Sequence, residues 1–133
     1  MAFVLDSSVA LAWLLQDEAH ERTDALADRL EQESAHVPSI WSLEVGNALM
    51  NALRRKRISD RDFDSCISAL LALPIEVDTT AEVAGVLLIA RRFGLTSYDA
   101  AYLELAQRRG FPLATLDDKL RQACKALKVP VLP

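Results

Sequence analysis

Short apolar runs alternate along the chain with longer segments in which apolar residues recur at helical spacing. Runs of this kind are typical of buried parallel strands, and a period near 3.6 predicts amphipathic helices. The apolar runs predict strands at Ala2–Leu5, around Val37–Pro38, at Ile75–Val77, at Pro112–Thr115 and at Val129–Leu132. The periodic segments predict helices at Val9–Leu15, Glu18–Gln32, Ile40–Lys56, Ser59–Leu73, from Thr79 or Thr80 to before Gly94, from Thr96 or Ser97 to Arg109, and at Asp117–Leu127.

Residues that favour helix ends support these boundaries. Ser39 is predicted to open the long third helix, and Ser59 with Asp62 resembles a capping box. Gly94 suits the left-handed position that closes a helix. Strands that alternate with helices imply a parallel sheet covered on both faces, so the sequence predicts an α/β fold. At 133 residues, it predicts one domain spanning residues 1–133.

Composition and polarity narrow the class of protein. The chain is 51% hydrophobic and 26% charged, a balance that is typical of a compact globule and excludes disorder. The longest uncharged apolar stretch, Ser65–Ile75, is shorter than the roughly 18 residues of a membrane span. Asp6 interrupts the position of a signal-peptide core, so we expect a cytoplasmic protein without membrane contact. Cys66 and Cys124 form no CxxC motif and are expected to be reduced, partly buried thiols.

Two acidic residues directly follow predicted strands. Asp6 comes after the first strand, and Asp117 comes after the strand that ends at Thr115. Ligands of open parallel sheets bind at the carboxyl ends of strands, which makes both residues candidates for a functional site. Helix capping is the alternative interpretation of each, because aspartate is favoured at an N-cap.

Two further acids lie within predicted helices. Asp99 falls in the first turn of its helix, where a carboxylate can also serve only to complement the helix dipole. Glu44 lies among apolar residues of the third helix, where an uncompensated carboxylate is costly. It therefore needs a cation, water or a structural hydrogen bond. Asn47 and Asn51 continue from Glu44 as a polar stripe at helical spacing.

The four carboxylates together predict a divalent metal site. Gathered without Lys or Arg, they would repel one another, and a hard cation relieves that repulsion. Carboxylate ligands suit Mg²⁺ or Mn²⁺. Zinc is not expected, because His20 and His36 lack ligand spacing and are interpreted as surface or loop residues. Acid-lined sites of this kind commonly hydrolyse phosphodiesters.

Charge at first disfavours a nucleic-acid substrate. The 15 basic and 19 acidic residues give a net charge of −4, whereas nucleic-acid-binding proteins are usually basic. The cluster Arg54, Arg55, Lys56 and Arg57 nevertheless ends the helix that carries Glu44. It could guide a nucleic-acid backbone by contacting phosphates. The alternative is a solvated helix end that complements the dipole.

Four segments resemble the acidic motifs of PIN-domain nucleases, and in particular of VapC-type toxins from toxin–antitoxin modules. They occur in the family's order and are Val4–Ser8, Leu43–Leu49, Ser97–Leu103 and Leu113–Asp117. The resemblance implies a Rossmann-like, three-layer PIN fold with a central parallel sheet flanked by helices. It also implies an endoribonuclease dependent on Mg²⁺ or Mn²⁺, a homodimer, and neutralisation by a VapB-like antitoxin. The implied reaction is attack by a metal-activated water on an RNA phosphodiester, which leaves a 5′-phosphate and a 3′-hydroxyl.

The resemblance also assigns roles to residues. Asp6 and Asp99 are expected to coordinate metal directly. Asp117 is preferred to its neighbour Asp118, because the family's Thr-x-Asp pattern falls on Thr115 and Asp117. The implied catalytic, metal-binding acids are Asp6, Glu44, Asp99 and Asp117; the supporting residues are Ser8, Asn47 and Thr115; and the RNA-binding candidates are Arg54, Arg55 and Arg57.

Other interpretations place a similar fold in different classes of protein. A receiver-like domain would use Asp6 as a phosphoacceptor, but such domains group acids after the first strand and place a lysine after a late one. Here Asp6 stands alone, and no lysine follows the fourth strand before Lys119. A PIN-fold scaffold without activity is a second alternative, because fold does not determine function. A structure-specific DNA nuclease is a third, and the short chain favours the toxin over it.

Overall fold

The computed structural model covers residues 1–133 and contains five parallel strands and seven α-helices. The strands are β1 (Ala2–Leu5), β2 (Ser34–Pro38), β3 (Ile75–Asp78), β4 (Leu113–Ala114) and β5 (Val131–Leu132). The helices are α1 (Ser7–Leu14), α2 (Glu21–Arg29), α3 (Trp41–Arg54), α4 (Asp60–Ala72), α5 (Val83–Phe93), α6 (Ser97–Arg109) and α7 (Asp118–Ala126). The predicted α/β class and parallel sheet are confirmed. Every helix is too short or too polar to cross a membrane.

The sheet has the order β3-β2-β1-β4-β5, which places β1 at its centre. Parallel pairing aligns Leu5 of β1 with Ala114 of β4, and the Asp6 amide continues the ladder by donating to the Ala114 carbonyl at 3.0 Å. This register brings the residues that follow the two strands to the same edge. The segments that begin at Asp6 and Thr115 therefore meet, although more than a hundred residues separate them.

The hydrophobic core lies between this sheet and the helices. Phe3, Val4 and Leu5 of β1 are fully buried, as expected for a central strand covered on both faces. Helix α6 packs on β1 and β2 and buries Tyr102 and Leu103 completely. Cys66 and Cys124 are free thiols and are buried rather than partly buried as predicted.

Several predicted helix ends are confirmed by their capping geometry. The Ser59 hydroxyl accepts from the Asp62 amide at 3.1 Å, and the Asp62 carboxylate accepts from the Ser59 amide at 3.4 Å, which completes a capping box. The Thr96 hydroxyl accepts from the Asp99 amide at 3.1 Å and so opens α6. Gly94 ends α5 at φ 63°, a left-handed conformation that glycine adopts without steric cost.

Four predicted helix starts differ from the structure. Helix α1 begins at Ser7, two residues before the predicted start at Val9. Thr80 does not cap α5, because its hydroxyl and amide both donate to the Asp78 carboxylate, and α5 begins only after Glu82. Ser39 does not cap α3, which follows Ile40 without a side-chain cap. The second helix is shorter than predicted, because residues 16–18 form a separate 3₁₀ turn and the exposed His20 caps α2 through its Nδ1 atom.

His36 is not the surface or loop residue that its isolation in the sequence suggested. It lies in β2, and its side chain is almost fully buried. Its Nε2 atom contacts the Ser34 hydroxyl at 3.1 Å, and its ring packs against that of Phe111 at 4.9 Å between centroids. A strand next to the central strand can bury even a polar side chain when its neighbours supply hydrogen bonds and packing contacts.

An ionic network anchors the C-terminal end of α6 to the end of β3. Arg108 donates through Nε to Glu104 at 2.6 Å and through Nη2 to Asp78 at 3.1 Å, and Arg109 reaches the other Asp78 oxygen at 3.2 Å. The side chains of Asp78 and Glu104 are only 5% and 6% exposed. Burial alone would raise the pKa of Asp78, but hydrogen bonds from Arg108 and Thr80 outweigh it and lower the pKa to about 2.

Candidate active site

The carboxylate of Asp6 is the most buried acid at the carboxyl edge of the sheet. The residue is 4% exposed, and its Oδ2 atom accepts hydrogen bonds from the hydroxyls of Ser8 and Thr115, each at 2.7 Å. Asp6 precedes α1, yet its side chain makes no capping hydrogen bond. The capping interpretation therefore fails for Asp6. Both hydroxyl bonds use Oδ2, which leaves Oδ1 free of side-chain donors.

Backbone amides in turn orient the two hydroxyls. The Asp117 amide donates to the Thr115 hydroxyl at 3.1 Å, and the Leu116 amide donates to the Ser8 hydroxyl at 3.0 Å. Each hydroxyl oxygen is thus an acceptor from the backbone while its proton points at Asp6. The predicted supporting roles of Ser8 and Thr115 agree with this arrangement.

Asp6, Asp99 and Asp117 line one solvent-open pocket of about 490 Å³. No lysine or arginine contributes to its lining, which is completed by Ser7, Ser8, Leu11, Glu18 and Leu116. Asp117 also caps α7, since its Oδ1 atom accepts from the Leu120 amide at 2.8 Å. For this residue, capping and pocket lining occur together. Asp118 lies outside this pocket, and Asp117 stays the predicted site residue of the two neighbours.

Glu44 lies beside this pocket without lining it. Its Oε1 atom accepts from the Tyr102 hydroxyl at 2.5 Å, so the carboxylate has a structural hydrogen-bond partner. Tyr102 is fully buried in α6, one turn after Asp99. Tyr102 is not among the residues that the sequence patterns predicted for the site. A single phenol in the apolar face of a helix was the available signal, because a buried hydroxyl needs a partner.

The acids perturb one another electrostatically. Burial raises the pKa of Asp6, and the nearby charge of Asp99 raises it further. Burial also raises the pKa of Glu44; the hydrogen bond from Tyr102 opposes this effect, and the charges of Asp6 and Asp99 add to it. Burial raises the pKa of Asp99, and the charge of Asp117 adds to it. The four predicted acids therefore form one negatively charged neighbourhood.

The remaining predicted residues lie elsewhere. Asn47 is exposed in a groove between α3 and α4 and makes no hydrogen bond to the acids, so its predicted supporting role has no structural basis. Arg54 and Arg55 are exposed and form no ion pair. Arg57 pairs with Asp17 at 2.8 Å and with Glu18 at 3.6 Å.

The donor set fits a hard divalent cation that retains water. No three Asp, Glu, His or Cys side chains converge closely enough to form a complete protein cage. Mg²⁺ rarely needs one, because it is usually held by one or two carboxylates together with waters and substrate phosphates. Asp6 and Asp99 offer carboxylates whose mutual repulsion a cation would relieve.

The chain is similar to known proteins over most of its length. The pattern that defines the PIN domain matches residues 3–126, and the chain belongs to the PIN-domain family. Ribonuclease VapC3 of Pyrobaculum aerophilum is 29% identical over 98% of this chain and its own full length. Ribonuclease VapC12 of Mycobacterium tuberculosis is 33% identical over 90% of each chain. The predicted resemblance to VapC proteins is confirmed.

Solved structures agree on the fold. VapBC2 from Rickettsia felis, in a crystal structure bound to a DNA fragment from its promoter, aligns with a TM-score of 0.66. The alignment covers 98% of this chain and 97% of the other, at 12% sequence identity. The predicted PIN architecture, with a parallel sheet between helical layers, is therefore confirmed.

Proposed function

We propose that this protein is an endoribonuclease that uses Mg²⁺ or Mn²⁺ to hydrolyse RNA phosphodiester bonds. The observation that carries the proposal is the pocket in which a buried, hydroxyl-oriented Asp6 faces Asp99 and Asp117 without any basic residue in the lining. The ribonuclease names of two relatives that match 90% or more of the chain support RNA as the substrate.

The residues of the chain divide the work between binding and orientation. Asp6 and Asp99 would hold the cation, and Asp117 and Glu44 would add negative charge around it. Ser8 and Thr115 fix the Asp6 carboxylate by bonding one oxygen, which leaves the other free of side-chain donors. Tyr102 holds Glu44 in a single position. When bound, the cation lowers the pKa of water and stabilises charge on the displaced oxygen.

Metal dependence can be tested with purified protein and total RNA. We expect discrete cuts with Mg²⁺ or Mn²⁺, no cuts after EDTA treatment, and recovery when metal is restored. Sequencing of the ends should find 5′-phosphates and 3′-hydroxyls. Single-stranded DNA of matched sequence serves as the substrate control. Cutting that persists in EDTA, or that acts on DNA while RNA stays intact, would contradict the proposal.

An apolar groove between α3 and α4 is proposed to hold a helix of a VapB-like antitoxin. The groove has a volume of about 430 Å³, and its lining includes Leu43, Met50, Phe63 and Ile67. Leu43 is 69% exposed, and a Cβ atom added to Gly46 would meet nothing within 4 Å, so this turn of α3 has no neighbour over it. Amphipathic helices dock into grooves of this shape. The VapBC2 complex supports a protein partner of this class.

A second apolar face is proposed to pair two copies of the chain. Val83, Leu87 and Leu88 of α5 are each more than half exposed. Val83 and Leu87 lie one turn apart on the same side of α5 and Leu88 flanks them, which gives an exposed apolar surface of the kind used in the self-complementary contact of a twofold dimer.

Two charge substitutions separate these partners and act as each other's control. Leu43→Asp should abolish co-purification with the antitoxin encoded beside the gene and leave the molecular mass in solution unchanged. Leu87→Asp should convert the dimer to a monomer and keep antitoxin binding. Co-expression pull-down and light scattering after size exclusion measure the two properties. Either proposal is wrong if its own variant behaves like the wild type.

A further inference from the structure

The acidic pocket extends along α1 to a rim made by the 3₁₀ turn at residues 16–18. Its lining begins at Asp6, continues past Leu11 in the middle of α1, and ends at Glu18. With eight residues, α1 is about 12 Å long at 1.5 Å per residue. The pocket is thus long enough to take a strand of nucleic acid rather than a single phosphate.

Arg57 reaches this rim because of how α3 ends. The Arg57 amide donates to the Ala52 carbonyl at 2.9 Å, and the Lys56 amide donates to the Leu53 carbonyl at 3.0 Å. Lys56 adopts a left-handed conformation with φ 56°, which is unusual for a residue other than glycine. After this tight turn, the Arg57 side chain reaches the 3₁₀ turn.

At the rim, two carboxylates hold the guanidinium group. Arg57 donates to one Asp17 oxygen through Nε at 3.1 Å and through Nη2 at 2.8 Å, and Nη2 lies 3.6 Å from Glu18 Oε1. The Arg57 side chain remains 37% exposed. An exposed ion pair of this kind contributes little to stability and can be exchanged for another anion.

We propose that Arg57 anchors a backbone phosphate of single-stranded RNA and that Asp17 and Glu18 occupy the same guanidinium group until RNA arrives. The proposal rests on the proposed function and adds to it the path of the substrate, from the acids along α1 to the rim. An RNA strand entering this pocket meets carboxylates, hydroxyls and two leucines but no basic side chain in the lining. A cation at the rim offsets that repulsion, and the guanidinium fork fits phosphate.

The direction in which two variants change RNA affinity distinguishes this exchange from an ion pair that only braces the turn. If phosphate replaces the carboxylates, Arg57→Gln weakens RNA binding, whereas Asp17→Asn combined with Glu18→Gln strengthens it. If the ion pair only braces the 3₁₀ turn, both changes loosen the same turn and both weaken binding. The two accounts therefore predict opposite changes in RNA affinity for the double variant Asp17→Asn, Glu18→Gln.

Binding is measured by fluorescence anisotropy of a labelled single-stranded RNA, with Mg²⁺ present and with Asp6→Asn in every protein to prevent cleavage. We expect Arg57→Gln to raise Kd about tenfold, which is the effect of losing one phosphate contact of about 1.4 kcal/mol. Its log Kd against log salt should have a slope lower by about 0.7. The comparison variant Arg55→Gln removes the same charge from the end of α3 and should raise Kd less.

A second double variant controls for the effect of net charge on RNA binding. Glu21→Gln with Asp24→Asn removes two exposed carboxylates from α2, so the Asp17 and Glu18 variant must tighten binding more than this pair does. That gain should shrink when Arg57→Gln is also present, because the acids then have no guanidinium group to release. Weaker binding by the Asp17 and Glu18 variant, or unchanged binding by Arg57→Gln, would overturn the proposal. Cleavage of RNA by the wild type is scored separately and reports only on the nuclease.

Discussion

Replacing Asp6 with Asn is expected to reduce metal-dependent RNA cleavage by at least about 10³-fold while the protein stays folded. The carboxylate is almost fully buried, and losing the proposed metal ligand would remove several kcal/mol of charge stabilisation, each 1.4 kcal/mol of which is tenfold in rate. Asn keeps the shape of the side chain and an oxygen that can accept from Ser8 and Thr115. Initial rates on a labelled RNA measure the effect.

The same substitution is expected to stabilise the metal-free protein at neutral pH. Burial and the charge of Asp99 raise the pKa of Asp6 in the folded state, so the ionised carboxylate opposes folding at a pH above that raised value. The stability difference between the variant and the wild type should shrink as pH falls and Asp6 becomes protonated. Thermal unfolding in EDTA across a pH series tests this.

Asp118→Asn is the matched control, since it removes a neighbouring aspartate that lies outside the pocket. Its cleavage rate should stay within a factor of about two of the wild type. Full activity in a folded Asp6→Asn protein would remove Asp6 from the catalytic machinery. An Asp118→Asn protein as inactive as Asp6→Asn would show that the choice between Asp117 and Asp118 is wrong.

The largest loss of stability is expected for Arg108→Met, at about 3 kcal/mol or more of the free energy of unfolding. Met keeps the aliphatic part of the side chain but leaves the buried Glu104 carboxylate without its cation and Asp78 with Arg109 alone. Breaking a buried ion pair by removing one partner typically costs 3–5 kcal/mol. Urea unfolding at neutral pH measures the loss.

Acid should reduce the difference between Arg108→Met and the wild type. The pKa of Asp78 is lowered to about 2, so the stability that it provides is present above its ordinary pKa and disappears as pH falls toward 2. Arg109→Met is the control: Arg109 contacts only one Asp78 oxygen and is 42% exposed, and we expect it to cost less than half as much. Equal losses for the two variants would contradict this account of the network.

The sequence predicted well those features that depend on local patterns. Continuous apolar runs located all five strands, and capping residues at Ser59 and Thr96 located two helix starts, because each signal is complete within a few residues. The predicted start of α5 was wrong because a contact with another element overrides the local signal. Thr80 has the side chain of a cap, but Asp78, two residues earlier, accepts its hydrogen bonds and is itself held by Arg108 from α6.

The part of the site that escaped prediction depends on contacts between distant segments. Glu44 was recognised as a carboxylate that needs a partner, but Tyr102 lies 58 positions away and no pattern links them. Arg57 and Asp17 are 40 positions apart. Asn47 lies on the same predicted polar stripe as Glu44, but in the structure its side chain lines the groove between α3 and α4. Such pairings are decided by packing and not by spacing.

The parallel pairing of β1 with β4 has a consequence for the order of events during synthesis. Thr115, which orients Asp6, is 109 positions further along the chain, and Asp117 follows it. While the ribosome is still making the first hundred residues, β1 can pair only with β2, and its other edge has no neighbour. The pocket therefore cannot exist on a growing chain until β4 has emerged and inserted beside β1. The proposed nuclease activity would therefore be absent during most of the chain's own translation.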